Sequence, residues 1–185
     1  MRALIRFVLL IGLYGMIWQP ALADRPMIKD FTMQPETGWR FFTDSVMGGV
    51  SSGQVVFLTE DGASFGRMTG RVSTANRGGF IQMRLDLSSP PPEGTTGVRL
   101  VVRGNSQRYF VHLRAKGTLL PWQYYQAGFD VTPDWAEVRL PFTAFAASGA
   151  LLRTVPRPAG LTSVAVVAYG RDHDARIDVR EVGFY

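Results

Sequence analysis

Apolar and polar residues alternate with a period of two along much of this chain. The alternation is clearest over residues 81–87, 98–103 and 108–114. Such a period is typical of β-strands that bury one face. A short strand is also predicted at Phe41-Phe42, and further strands are predicted at residues 55–59, 64–73, 124–129, 137–140, 164–169 and 177–184. About nine or ten short strands separated by turn signals predict an all-β, single-domain β-sandwich.

The N-terminal residues follow a different pattern. Arg2 and Arg6 precede an apolar run over residues 7–18, and Ala21-Leu22-Ala23 offers a small-residue cleavage site. The run is shorter than the roughly 20 apolar residues that span a bilayer. We therefore predict a secretory signal peptide over residues 1–23, an N-terminal extension over 24–38 and a sandwich domain over 39–185, without a transmembrane segment after cleavage. Export to the periplasm or medium is expected; a mitochondrial transit peptide is the alternative.

Composition and charge exclude several classes of function. The formal net charge is +5, which falls to +3 without Arg2 and Arg6, and the basic residues are scattered singly rather than clustered as in a nucleic-acid-binding protein. The chain has no cysteine, which excludes disulfides and thiolate metal sites. It carries neither a Walker A loop nor a G-x-G-x-x-G motif. We therefore expect no nucleic acid, no nucleotide and no cofactor.

Two glycine-rich segments stand about 30 residues apart: 44–51, with the sequence DSVMGGVS, and 76–80, with the sequence NRGGF. Adjacent glycines permit positive φ or a close backbone approach, and Asp and Ser side chains can bond to nearby backbone N–H groups. Gly49 is expected to need positive φ, and Arg77 to bond to carbonyls or to Asp44. The predicted structural turn motif comprises Asp44, Ser45, Gly48, Gly49, Asn76, Arg77, Gly78 and Gly79; a binding role for these residues is the alternative.

A catalytic or metal site has little support in the sequence. The only histidines are His112 and His173, and neither lies in a nucleophile-elbow context. In Asp172-His173-Asp174, strand geometry would splay neighbouring side chains apart, so a solvated turn is expected there. A structural Ca²⁺ suits this kind of fold, but no ligand spacing identifies a site. We predict no catalytic residue, no enzymatic activity and no metal; conceivable calcium ligands are Asp30, Asp44 and Asp178.

A possible binding surface emerges when the alternating apolar residues are turned inward. The opposite side of those strands then collects arginines beside aromatic residues, a mixture that suits acidic protein surfaces and glycans. An ordinary solvated sheet face is the alternative. Candidates for stacking on a sugar ring are Trp122, Tyr124 and Tyr125, with core packing as the alternative for two of the three. The candidate binding face comprises Arg84, Arg99, Arg103, Arg108, Phe110, His112 and Arg114.

The two glycine segments, together with the 97–104 segment GVRLVVRG and the closing residues 177–185, resemble the complex I intermediate-associated protein 30 family over residues 39–185. This resemblance implies a galactose-binding-domain-like jelly-roll sandwich. It also implies an assembly factor or chaperone for respiratory complex I without established catalytic activity. We therefore expect a non-enzymatic binding module that acts through protein–protein contacts in the cell envelope. The alternative is a periplasmic carbohydrate-binding β-sandwich, so a protein partner or a glycan is expected.

Overall fold

The computed structural model describes residues 28–30 and 38–185. The predicted signal peptide and most of the predicted N-terminal extension lie outside the described residues. Within the described part of the chain, no helix is long and apolar enough to cross a membrane.

The described residues form two antiparallel sheets connected by turns and four short 3-10 helices. The helices are η1 (Asp44–Met47), η2 (Ala75–Arg77), η3 (Phe142–Ala144) and η4 (Pro158–Gly160). The strands are β1 (Ile28–Asp30), β2 (Trp39–Thr43), β3 (Ser52–Glu60), β4 (Ala63–Val72), β5 (Phe80–Asp86), β6 (Gly97–Gly104), β7 (Arg108–Ala115), β8 (Tyr125–Asp130), β9 (Ala136–Pro141), β10 (Ala146–Ala147), β11 (Leu161–Tyr169) and β12 (His173–Phe184).

The two sheets are packed face to face as a sandwich. Sheet A has the strand order β3-β4-β12-β6-β9, and β1 pairs with the end of β12. Sheet B has the order β10-β8-β7-β11-β5-β2. The predicted fold class, an all-β, single-domain β-sandwich, is confirmed.

The core lies between the sheets and follows the two-residue period closely. Alternate residues of β5, β6 and β7 are buried as predicted, and β11 and β12 complete the core. Burying a large apolar side chain contributes roughly 1.5–3 kcal/mol, so these rows fix the phase of each strand. The central core residues are Ile81, Met83, Leu85, Val98, Leu100, Val102, Tyr109, Val111, Leu113, Val164, Val166, Ile177 and Val179.

Two short strands were not anticipated from the sequence. β1 and β10 have three and two residues, which is too short to display a two-residue period. β1 lies within the predicted N-terminal extension, where Ile28 is aligned with Gly183 of β12. Sheet A therefore begins before residue 39.

The candidate binding face is divided by the topology. β6 lies in sheet A, whereas β5 and β7 lie in sheet B. Arg99 and Arg103 therefore face solvent on one side of the sandwich, while the remaining members of the predicted set belong to the other sheet. The prediction of one continuous face is wrong, because a two-residue period reveals which side of a strand is buried but not the sheet to which the strand belongs.

Candidate functional site

Asp44 joins the two glycine turns. Its carboxylate is fully buried and accepts hydrogen bonds from the Ser51 N–H (2.9 Å) and hydroxyl (2.5 Å), from the Gly79 N–H (2.6 Å) and from the Phe80 N–H (3.3 Å). Burial by itself raises the pKa of Asp44, but these hydrogen bonds outweigh it and hold the pKa below its ordinary value. Asp44 thus fixes the β2–β3 turn against the start of β5.

The glycines of these turns have different tasks. Gly48 is left-handed, with φ at +86°, and Gly79 has φ at +128°. At Gly49, a Cβ atom would lie 2.3 Å from Cγ of Asp44, and at Gly78 it would lie 2.3 Å from Oδ2 of Asp44. The expectation that Gly49 needs positive φ is therefore wrong. The constraint at Gly49 is close approach to a buried carboxylate.

The η2 turn holds Arg77 in an unfavourable backbone conformation at the protein surface. Asn76 and Arg77 have φ angles of 56° and 60°, a region that is costly for residues other than glycine. Both the N–H and the hydroxyl of Thr74 donate to Oδ1 of Asp172 at 2.7 Å, which secures the turn. Among the described residues, Arg77 has neither the hydrogen bond to Asp44 nor the bonds to carbonyls that the sequence predicted.

A cleft of about 550 Å³ opens on the outer face of sheet B, beside these turns. Its floor is formed by Ser163 and Ala165 of β11, which are buried although they point away from the core. Ala165 is aligned with Arg84 of β5 on one side and with His112 of β7 on the other. Two small side chains between longer ones leave a trough along the central strand.

One wall of the cleft is a packed group of aromatic rings. The His112 ring stacks on Tyr124 with centroids 4.0 Å apart and an interplanar angle of 9°. The Tyr124 hydroxyl donates to that of Tyr169 at 3.3 Å, and His112 Nε2 donates to Gln126 Oε1 at 2.8 Å. Burial lowers the pKa of His112 to about 4 and raises the pKa of Tyr124. At neutral pH this wall is therefore uncharged and still able to form hydrogen bonds.

The rims of the cleft expose apolar side chains. Val46 and Met47 of η1 lie on the rim beside the glycine turns, and Pro121 and Trp122 lie in the β7–β8 loop. Trp122 is 60% exposed. The Arg114 guanidinium donates to the carbonyl oxygens of Thr118 (2.9 Å) and Leu120 (3.1 Å), which anchors the loop that carries Trp122.

The three predicted stacking aromatics separate into two groups. Trp122 and Tyr124 line the cleft. Tyr125 is buried in the core between the sheets, as alternation along β8 requires when Tyr124 faces outward. Only Trp122 and Tyr124 are therefore placed to contact a ligand.

Arg84 is the innermost positive charge of the cleft. Its guanidinium lies over the Phe42 ring, 4.5 Å from the centroid. Its Nε is buried without a hydrogen-bond partner among the described residues, and the Asp86 carboxylate is 3.4 Å away. Burial lowers the pKa of Arg84, an effect that Asp86 opposes and that nearby Arg40 and Arg114 reinforce.

The arginines on the outer face of sheet A are in a different state. Arg99 donates to Glu137 (2.7 Å) and Glu181 (2.6 Å). Arg103 and Arg67 both donate to Asp178, at 2.8 and 2.7 Å. Burial by itself raises the pKa of Asp178, but the two arginines lower it by more than burial raises it. The pKa of Asp178 therefore lies below its ordinary value.

The remaining members of the predicted face lie at or near the cleft. His112 and Arg114 line it together with Arg84. Phe110 lies at the edge of the aromatic group, 5.9 Å from Tyr169 between ring centroids. Arg108 pairs with Asp130 at 3.2 Å in an exposed position.

Sequence reasoning missed much of the cleft. Phe42, Phe80 and Tyr169 line it, as do the small floor residues Ser163 and Ala165. Residues 164–168 of β11 are all apolar, so no alternation distinguishes the floor residue Ala165 from the core residues beside it. The only available signal was the position of Phe80 directly after the second glycine pair.

Asp44, Arg77 and a histidine do not meet in one polar pocket. Arg77 and His112 line the cleft, whereas Asp44 lies beneath the turns with its oxygen atoms bonded to their donors. Among the described side chains, no group of three or more His, Asp or Glu residues is arranged to hold a metal ion. Among the conceivable calcium ligands, Asp178 is paired with two arginines, and the side chain of Asp30 lies outside the described part of the structure.

Comparison with known proteins gives one family and a set of structural neighbours. The family model described as Complex I intermediate-associated protein 30 (CIA30) matches residues 29–170. A search of curated proteins finds no match.

The solved structures with similar folds include carbohydrate-binding modules from Clostridium thermocellum. A family 11 module of a cellulosomal cellulase has a TM-score of 0.69 and 10% identity, covering 85% of this chain and 92% of its own. The family 11 module in complex with a β-1,3-1,4-mixed-linked tetrasaccharide has a TM-score of 0.68 and 10% identity, with coverages of 86% and 94%. A family 30 module has a TM-score of 0.58 and 12% identity, with coverages of 88% and 93%. At such low identity, the likeness is one of fold.

Proposed function

This chain belongs to the complex I intermediate-associated protein 30 family, and from that premise we propose that it is a non-catalytic binding module whose cleft on sheet B binds a carbohydrate. The family and the structural neighbours support a binding module. The absence of catalysis remains a prediction. The choice of carbohydrate as the ligand rests on the cleft.

The observation that carries this proposal is the exposed Trp122 at the rim of a concave, aromatic-lined cleft. An indole ring offers a large apolar face for the C–H face of a sugar ring. The Tyr169 hydroxyl and the neutral His112 lie on the wall, where they can form hydrogen bonds with sugar hydroxyls. The cleft volume of about 550 Å³ suits a ligand of a few sugar rings.

The structural neighbours support the same choice. One of them was solved in complex with a mixed-linked tetrasaccharide, and it shares the sandwich of this chain over 86% of the length. Because the identity is only 10%, the neighbour does not identify which sugar this chain would bind. The side chains of the cleft must decide that.

Isothermal titration calorimetry with a panel of neutral and acidic oligosaccharides, the mixed-linked tetrasaccharide included, tests this proposal. We expect at least one oligosaccharide to bind, and Trp122→Ala to weaken its affinity by about tenfold or more, equivalent to about 1.4 kcal/mol. Leu151→Ala is the control, because Leu151 is exposed and lies outside the cleft. If none of these oligosaccharides binds, or if the Trp122 variant binds as tightly as the unchanged protein, the proposal is contradicted.

The family match favours a second candidate function, assembly of respiratory complex I through protein–protein contacts. The exposed Val46, Met47 and Val50 of the β2–β3 turn form an apolar patch that suits such a contact. Affinity capture from detergent-solubilised membranes should then enrich complex I subunits, and Val46→Asp should abolish that enrichment. If complex I subunits are no more abundant than in a mock capture, this candidate is rejected.

We also propose that the protein is exported through the signal peptide predicted at residues 1–23. Intact-mass measurement after cell fractionation should find an envelope or secreted form that begins at Asp24. An uncleaved cytoplasmic form would contradict export, and recovery from a mitochondrial matrix would favour the transit-peptide alternative.

A further inference from the structure

The lining of the cleft on sheet B carries more positive than negative charge, and Asp86, which pairs with Arg84, lies outside that lining. Arg77, Arg84 and Arg114 all line it. No Asp or Glu is found among the described residues that form its walls, floor and rims. A ligand in this cleft therefore meets guanidinium groups and aromatic rings together.

The protein satisfies the Nε of Arg84 only in part. This atom lies 3.4 Å from the Asp86 carboxylate but is buried without a hydrogen-bond partner among the described residues, and such groups are uncommon in native proteins. The nearby Asp86 is also engaged by Arg40. An acceptor brought by a ligand would supply the hydrogen bond that the protein itself does not provide.

Arg77 offers a second free cation. The strained η2 turn presents it at the cleft, and no hydrogen bond or ion pair within the described part of the chain engages its guanidinium. The turn is fixed from both sides, by Asp44 through Gly79 and by Asp172 through Thr74. Strained backbone that is held this firmly is characteristic of ligand-contacting positions.

Three arginines on the outer face of sheet A are paired with the protein's own carboxylates. Arg67, Arg99 and Arg103 each donate to a carboxylate at 2.6–2.8 Å. The cleft arginines differ: Arg114 donates to loop carbonyls, while Arg77 and the Nε of Arg84 retain unused donors. Arginine donors without a hydrogen-bond partner among the described residues are thus present where a ligand would lie.

We propose that the cleft selects a carboxylate-bearing oligosaccharide, with a sugar ring against Trp122 and carboxylates paired with Arg84 and Arg77. This inference rests on the proposed carbohydrate-binding function. A guanidinium matches a carboxylate with two parallel hydrogen bonds, and the low-dielectric surroundings of Arg84 strengthen that pairing. The aromatic wall and Trp122 favour a ring-shaped ligand over a small free anion.

The test uses oligosaccharides in matched pairs. Tri- to tetrasaccharides of galacturonate, glucuronate and mannuronate are each compared with their carboxyl-reduced, neutral counterparts by isothermal titration calorimetry. At least one acidic member should bind about tenfold or more tightly than its neutral counterpart, a difference of about 1.4 kcal/mol. Raising the salt concentration should narrow that difference, since partly exposed charges are screened.

Variants assign the preference to the cleft arginines. Arg84→Met and Arg77→Met should each reduce the affinity for the acidic member more than the affinity for its neutral counterpart, so that the preference for the acidic member narrows. Arg139→Met is the matched control, because it removes the same charge from an exposed strand of sheet A. We expect that control to retain the full preference for the acidic member.

The possible outcomes separate this inference from the function on which it rests. If neutral and acidic members bind equally tightly through Trp122, the carbohydrate function stands and the anionic selectivity is overturned. If no saccharide of either kind binds, both are overturned. If poly-glutamate competes as well as the acidic saccharides, the ligand class is an acidic polypeptide and the saccharide proposal is overturned.

Discussion

The two outer faces of this sandwich use the same residue types in opposite ways. On sheet A, Arg67 and Arg103 flank Asp178, so positive and negative charges neutralise each other. On sheet B, Arg84 lies over the Phe42 ring in a cleft whose described lining has no carboxylate. Arg67 and Arg103 of sheet A bind the protein to itself, whereas the Nε of Arg84 in the cleft has a donor that a ligand can use.

This difference shows why an arginine-rich strand face is not by itself a binding site. The value of an arginine to a partner depends on whether its donors and its charge are already satisfied. In this molecule the carboxylates of β12 and β9 satisfy Arg99 and Arg103. Arg84 lies over the Phe42 ring with a long contact of 3.4 Å to Asp86, and Arg77 has no carboxylate partner among the described residues.

The largest expected effect on stability concerns the two glycine turns that border the cleft on sheet B. The outer face of sheet A is held together by ion pairs instead. Gly49→Ala should destabilise the protein by about 3 kcal/mol, because the new Cβ would overlap the buried Asp44 carboxylate and disturb its hydrogen bonds. Urea denaturation measures this change. Gly48→Ala is the matched control and should cost only about 1 kcal/mol, since its positive φ is the sole constraint. Equal effects would refute the close-approach explanation.

A pH titration distinguishes the faces by their buried ionisable groups. The pKa of His112 is lowered from 6.5 to about 4 in the folded protein. Between pH 6.5 and pH 4 this histidine is therefore protonated in the unfolded chain but neutral in the folded protein. Stability should therefore fall as the pH drops from 6.5 to 4, by up to about 3 kcal/mol. Urea midpoints measured across this range test the slope. His112→Phe should flatten it, and an unchanged slope would contradict this role for His112.

Removal of the Asp178 carboxylate tests the ion pairs on the outer face of sheet A. Asp178→Ala should lower stability by about 2 kcal/mol at neutral pH, because it leaves Arg67 and Arg103 without their shared partner in a partly buried site. Since the pKa of Asp178 is lowered on folding, its contribution should be present above pH 3.8 and be lost as the pH falls below that value. Asp130→Ala, at an exposed ion pair, serves as control. If Asp178→Ala loses no more stability than Asp130→Ala, the ion pairs of sheet A do not stabilise the fold as described.

The smallest effect sharpens the comparison most directly. Arg103→Met on sheet A should cost about 1 kcal/mol, since it breaks the ion pairs with Glu60 and Asp178 and leaves the buried Asp178 with Arg67 as its only partner among the described arginines. Arg84→Met in the cleft should change stability by less than about 0.5 kcal/mol or increase it, because a partly buried guanidinium with only a long ion-pair contact to Asp86 (3.4 Å) is replaced by an apolar chain. Thermal denaturation of the two variants side by side gives the answer. A larger loss for Arg84→Met would show that Arg84 serves the fold.

The success of sequence reasoning differed between strands and site. The inward residues of β5, β6 and β7 were identified one by one, because burial follows a local two-residue period. Tyr125 was counted among the stacking candidates although it points into the core, since an aromatic run offers no polar marker for its outer side. The cleft floor on β11 stayed hidden for the same reason.

The sequence by itself determined the strand phases, the core residues, the paired glycine turns and, through those motifs, the family. These features depend on neighbours along the chain or on residue types that few local structures permit. Only the tertiary structure decided that β6 lies opposite β5 and β7, that Ala165 separates Arg84 from His112, and which arginines meet a carboxylate. Those facts depend on which strands pair, and strand pairing joins residues far apart in the chain that no local pattern connects.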